Sequence, residues 1–364
     1  MPRNSAILNA PVILFLGAGA SVPLGKPTMV QFVRRLSKRI NDGLEKTVLN
    51  ILAKLRAEDL ETILEDLDAI IGLDYVTSVQ GWDYEKIFAT HSFPGYSPSP
   101  EPTPPSKSQV REFTITASTA KQLRERIEKE VIKEYRNVSS QKTQILYEPL
   151  LDRIFSHVDP NKHCLPVFTT NYDRAMEVFC SLQHDRYAIV DGFKEDLASR
   201  EYYWDSGVFD EFQLVPSKRN LVLFKLHGSV DWLHVKAADR IIRAQAIRVE
   251  TGEDEYANRL IYPAKRKVAI EEPYFTAYDY YGRCSENSKF CLTIGYSFRD
   301  YDALTRLKAA IRANPQFRLA LISPEASNIL NGLPFHPSRR TAIDMRFGEG
   351  EDIESYLKPL DIYL

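Results

Sequence analysis

The stretch Val12-Ile13-Leu14-Phe15-Leu16-Gly17-Ala18-Gly19-Ala20-Ser21 decides the fold. Its five apolar residues, cut off by a glycine, are too few for a buried helix and read as a strand covered on both faces of a parallel sheet. Glycines at 17 and 19 then allow positive φ, and they let backbone N–H groups approach an anion without a side chain in the way. The start of a following helix adds its dipole. A tight strand-to-helix turn needs glycine with or without a ligand, so the turn alone does not establish a phosphate site. Beyond it, Gly25-Lys26-Pro27-Thr28 reads as a second turn, with Thr28 as an N-cap.

Working outward, the text changes to a helical period from about 28 to 71. Val30, Val33 and Leu36 form one stripe, Leu49, Leu52 and Leu55 a second, and Leu60, Ile63, Leu64 and Leu67 a third. Residues 92–108, with six prolines among small polar residues, can build neither helix nor ladder and read as an exposed loop. Charged helical text follows at 116–136, and a second helix at 142–157. Arg124, Arg126, Lys129 and Lys133 alternate with glutamates there, which describes a solvated face rather than a groove that tracks phosphates. Short apolar runs then return at 165–168, 221–226, 290–294 and 317–322, with helical patterns at 171–181, 302–313 and 324–330. Strand, turn and helix repeated in this way predict an α/β protein with a doubly wound, Rossmann-like parallel sheet. The sheet domain is expected over 1–29 and 159–364, with a large, mostly helical insertion (30–158) between the first and second sheet strands.

Composition narrows the function. The 364 residues include 47 basic and 49 acidic side chains, a formal charge of −2, which argues against a broadly basic nucleic-acid binder. No apolar run is long enough to span a membrane, and the N-terminus lacks the long apolar region of a signal peptide, so a cytoplasmic location is expected. The four cysteines, Cys164, Cys180, Cys284 and Cys291, are too scattered for a disulfide framework and contain no Cys-x-x-Cys pair, so no metal is expected.

Three further motifs follow the apolar runs. These are Phe168-Thr169-Thr170-Asn171-Tyr172-Asp173, Lys225-Leu226-His227-Gly228-Ser229 and Gly295-Tyr296-Ser297-Phe298. Together with the glycine turn, all fall at carboxyl ends of predicted parallel strands, where open α/β sheets bind their ligands. The other six histidines (His91, His157, His163, His184, His234, His336) read as structural or surface groups, and Asp191-Gly192-Phe193 as a turn.

With these motifs in this order, the chain resembles the sirtuin superfamily, and more narrowly the bacterial sirtuin-like NAD hydrolases of anti-phage defence. The resemblance covers roughly 10–30 and 160–330. It implies that Gly17, Ala18, Gly19 and Ser21 hold the NAD pyrophosphate, and that Asn171 places a water or orients the nicotinamide ribose. Thr170 stands in the same box, and Asp173 would lie near the nicotinamide amide. His227 falls on the catalytic histidine, Gly295 and Ser297 on the box beside the adenosine ribose, and Ser323 where a ribose-binding asparagine often stands. Asn171 could equally cap the helix that follows it, and Asp173 would gain from that helix's dipole in any case.

The departures point the same way. Gly25-Lys26-Pro27-Thr28-Met29-Val30 replaces the Gly-Ile-Pro-x-Phe-Arg of the deacylases, so their phenylalanine and arginine are missing. Thr170 replaces a glutamine. Only Cys284 and Cys291 follow His227, too few for the zinc ribbon that helps build the acyl-lysine cleft. The expected activity is therefore NAD glycohydrolysis to nicotinamide and ADP-ribose, with NAD as substrate, as a NAD-depleting effector. Protein deacylation, ADP-ribosyl transfer and non-catalytic NAD or ADP-ribose sensing are the alternatives. Such an activity must be held in check, so the resemblance implies a homo-oligomer or a partner, either a HerA-type hexameric ATPase or an Argonaute-like protein.

Overall fold

The main sheet has seven strands, all parallel. The structure is a computed structural model that describes residues 5–40, 43–56, 60–77, 116–235, 238–244, 256–260 and 271–348. The proline-rich stretch 92–108 and His91 lie outside those residues.

In chain order the strands are β1 (Val12–Leu16), β2 (Leu165–Thr169), β3 (Tyr187–Val190), β4 (Phe193–Glu195), β5 (Tyr202–Trp204) and β6 (Arg219–Lys225). They continue with β7 (Gly228–Val235), β8 (Arg240–Arg243), β9 (Tyr256–Leu260), β10 (Phe290–Ile294), β11 (Arg318–Ser323) and β12 (Arg340–Asp344). Described helices are α1 (Ser5–Leu8), α2 (Met29–Arg39), α3 (Leu44–Leu55), α4 (Leu60–Thr77), α5 (Ala117–Tyr135) and α6 (Ser140–His157). After them come α7 (Ala175–Leu182), α8 (Gly207–Asp210), α9 (Tyr274–Asn287), α10 (Tyr301–Ala313) and α11 (Ala326–Asn331).

Period-two alternation distributes the sheet's side chains between two cores. Ile13, Phe15, Phe168, Val222, Phe224, Cys291, Leu319 and Leu321 point to one face, where α9, α10 and α11 supply Tyr278, Tyr281, Leu307 and Leu330. Leu14, Leu16, Val167, Leu221, Leu223, Leu292 and Ile322 point to the other, covered by α6 and α7 through Leu150, Ile154, Met176 and Phe179. Burial on both sides explains why β1, β2 and β10 read as unbroken apolar runs.

The strand order makes β1 the turning point. From it, β2, β6 and β3 lie on one side and β10, β11 and β12 on the other. The β1/β10 boundary is thus the topological switch, the place where sheets of this type open a crevice beyond their carboxyl ends. The doubly wound sheet expected from the sequence is present, and the helices α2 to α6 lie between β1 and β2.

Several elements differ from expectation. The chain divides into compact units of 1–32 with 128–364, and 33–127. Helix α6 falls in the first of these, because its buried Leu146, Tyr147, Leu150, Leu151 and Ile154 belong to the sheet's own core. Strands β3 and β12 and helix α9 extend the expected element set. A second, antiparallel sheet (β4-β5-β8-β7-β9) also forms between β3 and α9. Within the 33–127 unit, α3 and α4 bury Val48, Leu49, Leu52, Leu60, Ile63, Leu64 and Leu67. Leu55 is exposed instead of completing its stripe. Arg56 there makes a bidentate pair with Asp66 at 2.7 and 2.9 Å.

Candidate active site

Four backbone hydrogen bonds join the loops that leave β6, β2, β1, β10 and β11. Leu226 N–H donates to Thr169 O (2.8 Å), Thr170 N–H to Leu16 O (3.1 Å), Gly17 N–H to Ile294 O (2.8 Å) and Gly295 N–H to Ile322 O (2.8 Å). The ladder of the sheet therefore runs on by one residue past each strand end. Asn171, His227, the glycine turn, the Gly295 loop and Ser323 all stand on this single carboxyl edge.

The glycine turn is built for close packing. Gly17 has φ −99° and β/extended geometry, and Ala18–Ser21 forms a single 3-10 turn. Gly17 and Gly19 are absent from the positive-φ glycines, so the left-handed freedom anticipated for this turn is not what it uses. What glycine supplies is space. A Cβ on Gly17 would meet Gly295 O at 2.6 Å, and one on Gly19 would meet Gly295 Cα at 2.6 Å. The amides of Gly17, Gly19 and Ala20 donate to Ile294 O, Gly295 O and Gly17 O respectively. The two loops thus close on each other at the switch point, and Gly295 alone of the three takes a left-handed φ, +62°.

Asn171 is placed by Thr169, whose hydroxyl donates to Leu16 O (3.0 Å) and accepts from Asn171 N–H (3.0 Å). The Asn171 side-chain amide donates to Gly17 O at 2.9 Å, tying the second motif to the first. Helix α7 begins only at Ala175, with Arg174 as its N-cap, so Asn171 does not cap it. Asp173 likewise precedes the first turn. Its Oδ1 accepts from Ala175 N–H (2.9 Å), and its Oδ2 accepts from the Ser21 hydroxyl (2.5 Å). Asp173 is buried, and a second pair of motif residues is thereby locked across the β1/β2 ends.

His227 occupies the corner where the chain leaves the main sheet for the antiparallel one. Gly228 turns that corner at φ +83° and opens β7. Val230 N–H donates to Tyr172 O (3.0 Å), which holds the Asn171 loop beside the His227 loop. The Tyr172 and His227 rings lie 6.5 Å apart. The imidazole is buried, with Nε2 2.8 Å from Asp300 Oδ2. Burial opposes ionisation of Asp300, but the imidazole, the Tyr278 hydroxyl and the Ala303 amide outweigh it and hold the carboxyl down to about 2.

Of the remaining expected residues, Thr170 is half-buried, Ser297 is exposed and Ser323 is buried at the end of β11. Arg299, two residues beyond Ser297, is exposed on the same loop. Lys26, in the turn that replaces the deacylase pattern, is buried and donates to Glu134 O (2.7 Å) and Asn137 O (2.5 Å). Tyr135 donates to Pro27 O at 2.8 Å. That turn is fastened to the end of α5, where free carbonyls accept a cation well.

Sequence reasoning missed the groups under the edge. Lys225, the last residue of β6, is buried and donates to Asp173 O (2.5 Å) and the Ser229 hydroxyl (2.8 Å). It also pairs with Glu177 at 3.0 Å. Burial pushes the Glu177 carboxyl up, and Lys225 opposes that shift. These groups, with Leu16, Tyr147, Thr169, Asn171 and Asp173, line a cavity of about 10 Å³, room for a single water. Removing one partner of such a pair strands the other's charge. Lys225→Met is therefore expected to lower unfolding free energy by about 3–5 kcal/mol in urea titrations, and adding Glu177→Gln should recover much of it. A single mutant as stable as wild type would show that Lys225 and Glu177 are not ionised as a pair.

Cys284 donates weakly to Ile7 O, and Cys291 contacts the Thr293 hydroxyl, each inside the core. Burial pushes the Cys291 thiol up to about 12 and the Cys284 thiol well above its ordinary value, so neither favours the thiolate that zinc requires. Among the described residues no helix is long and apolar enough to cross a membrane.

No curated protein matches the chain. Among solved structures, it is similar to a Sir2 homologue mutant in complex with ADP-ribose, at 12% identity and a TM-score of 0.42, over 99% of this chain and 97% of that one. It is also similar to a Sir2–p53 peptide–NAD+ complex, at 12% identity and a TM-score of 0.41, over 98% of this chain and 95% of that one. Residues 166–334, which carry Asn171, His227, Gly295 and Ser323 but not the glycine turn, match the family model of the SIR2-like domain.

Proposed function

We propose that this protein is an NAD glycohydrolase that cleaves NAD to nicotinamide and ADP-ribose. The observation that carries the reading is the contiguous carboxyl edge, on which an asparagine amide and a histidine imidazole stand just past the ends of the neighbouring strands β2 and β6, beside the glycine turn at the switch point. In the reaction, the bond between ribose C1′ and the pyridinium nitrogen breaks, and its electron pair leaves with neutral nicotinamide. Positive charge develops on the ribose as this happens. A water oxygen then bonds to C1′ and gives up a proton, which His227 accepts and passes to solvent.

Each residue has a task in that sequence. Asn171, uncharged and held at Gly17 O, orients the water or the ribose without competing for the proton. Asp173, bonded to Ser21, is assigned to the nicotinamide amide, with Thr170 in the same loop. Gly17, Ala18, Gly19 and Ser21 line the pyrophosphate, Gly295, Ser297 and Ser323 the adenosine side, and exposed Arg299 adds positive charge there. Hydrolysis is favoured over protein deacylation because the chain leaving His227 enters β7 directly, and both later cysteines are core thiols.

The same reading makes the protein a NAD-depleting effector of anti-phage defence, restrained by self-assembly or by a HerA-type ATPase or Argonaute-like partner. Incubation with NAD, with and without an acetyl-lysine peptide, tests the chemistry. ADP-ribose formed without peptide supports hydrolysis, whereas O-acetyl-ADP-ribose formed only with peptide points to a deacylase. Asn171→Ala should lower kcat about 10²-fold or more, since misplacing reactants by an ångström has effects of that size. Its melting temperature should stay near wild type. Full activity in that variant would remove Asn171 from the mechanism.

A further inference from the structure

His227 and Asp300 meet from loops 73 positions apart, and the surroundings of Asp300 leave it a single orientation. Its Oδ1 accepts the backbone N–H groups of Asp302 (2.9 Å) and Ala303 (3.1 Å), which makes it the N-cap of α10. Its Oδ2 accepts the Tyr278 hydroxyl at 2.6 Å and faces His227 Nε2 at 2.8 Å. Two residues upstream, Phe298 holds a left-handed φ of +56°, with its ring buried 4.9 Å from that of Tyr296. A non-glycine residue keeps such a conformation only where its surroundings enforce it.

An ionised carboxylate can only accept hydrogen bonds, so the proton between the two groups belongs to Nε2. The other ring nitrogen, Nδ1, has no hydrogen-bond partner among the described residues. We propose that Asp300 is a positioning residue that holds His227 as the Nε2–H tautomer, so that Nδ1 is the nitrogen that accepts the proton in the hydrolysis. The adjacent carboxylate also stabilises the imidazolium that this transfer creates, as the buried carboxylate does in serine-protease triads. The inference rests on the hydrolase reading for its purpose, but the tautomer itself can be measured without any turnover.

Asp300→Asn separates positioning from architecture. Asparagine is as good an N-cap as aspartate, so its Oδ1 can go on accepting from the two amides. Its Nδ2 then replaces Oδ2 and can donate to the Tyr278 oxygen, but it cannot accept from Nε2–H. The imidazole is pushed to the Nδ1–H tautomer, and the base disappears. With ¹⁵N-labelled histidine, and the His227 signal assigned by its loss in His227→Gln, the wild type should show a protonated Nε2 and a bare Nδ1. The asparagine variant should show the reverse, with kcat for nicotinamide release from NAD down about 10²–10⁴-fold. KM and melting temperature should change little.

A wild-type protein with its proton on Nδ1 overturns the proposal, and this measurement needs no variant to fold. An asparagine variant with unchanged tautomer and kcat overturns it too. A wild type that shows the expected tautomer but releases no nicotinamide, whatever partner is added, upholds the positioning by Asp300 and overturns the hydrolase reading instead.

Discussion

His227→Ala is expected to slow nicotinamide release from NAD by about 10²–10⁴-fold near neutral pH, the usual effect of losing a positioned general base. Most of that loss should fall on kcat, because the imidazole acts on a proton in flight rather than on the bound dinucleotide. The fold should survive. Removing the ring leaves Asp300 with the Tyr278 hydroxyl and two backbone amides, so its charge is still served by three donors. The stability cost should stay near the ~1–3 kcal/mol of a lost buried hydrogen bond, readable as a modest shift in melting temperature. Chromatography of nicotinamide over time measures the rate. A variant that turns over at the wild-type rate would remove general-base catalysis from the account, and one that fails to fold would show a structural histidine.

The second large effect concerns stability. Gly295→Ala would place a Cβ 2.4 Å from Gly19 Cα and 2.5 Å from Ala20 N, at a residue with φ +62°. Both obstacles are backbone atoms of the facing turn, so no side chain can rotate away. The left-handed conformation alone costs alanine about 1–2 kcal/mol. Forcing an atom into a closed contact typically adds ~1–3 kcal/mol. The two glycine loops must therefore separate, and the contact through Gly19 N–H and Gly295 O is lost. Gly282→Ala provides the control. It sits inside α9, where the atoms nearest to a Cβ belong to the Arg306 side chain, at an ordinary contact distance of 3.6 Å. That substitution should be neutral or stabilising by up to about 1 kcal/mol. Denaturation midpoints compare the two directly, and equal midpoints would mean that the loops do not meet at the switch as described.

How much of this was legible in the sequence follows from what each signal encodes. Strands β1, β2, β6 and β10 were readable because burial on both faces demands unbroken apolar text. Edge strand β12, Arg340–Asp344, has one partner and mostly half-exposed side chains, so Arg-Thr-Ala-Ile-Asp carries no such run. Helix α9 was missed for a different reason. Its Tyr-Phe-Thr-Ala-Tyr-Asp-Tyr-Tyr-Gly stretch is poor in strong helix formers, and it is packing of Tyr274, Tyr278 and Tyr281 into the core that holds it. Helix α6 reads like any amphipathic helix, and nothing in its spacing says which core it joins.

The site divides in the same way. Asn171, His227 and the glycines stand in short motifs directly after strands, so their common edge follows from the sheet being parallel. The reason given for Gly17 and Gly19 needed correction, from positive φ to close approach, because only coordinates reveal the facing Gly295 loop. Asp300 left one trace, an aspartate just ahead of a helical pattern, which is an N-cap signal. Its use as a partner for His227 depends on how α10 meets the edge. Lys225 opens the His227 motif and Glu177 stands in helical text, but neither shows its burial there, since a lysine at a strand end normally reaches water.

The crystal structure of the protein with ADP-ribose tests the central claim most directly, because this product can bind without any trigger for turnover. The expected result is density along the carboxyl edge, with the phosphates over the packed Gly17–Ser21 turn and Gly295 loop and the terminal ribose beside Asn171 and His227. ADP-ribose bound away from that edge, or bound with its terminal ribose far from both side chains, would contradict it.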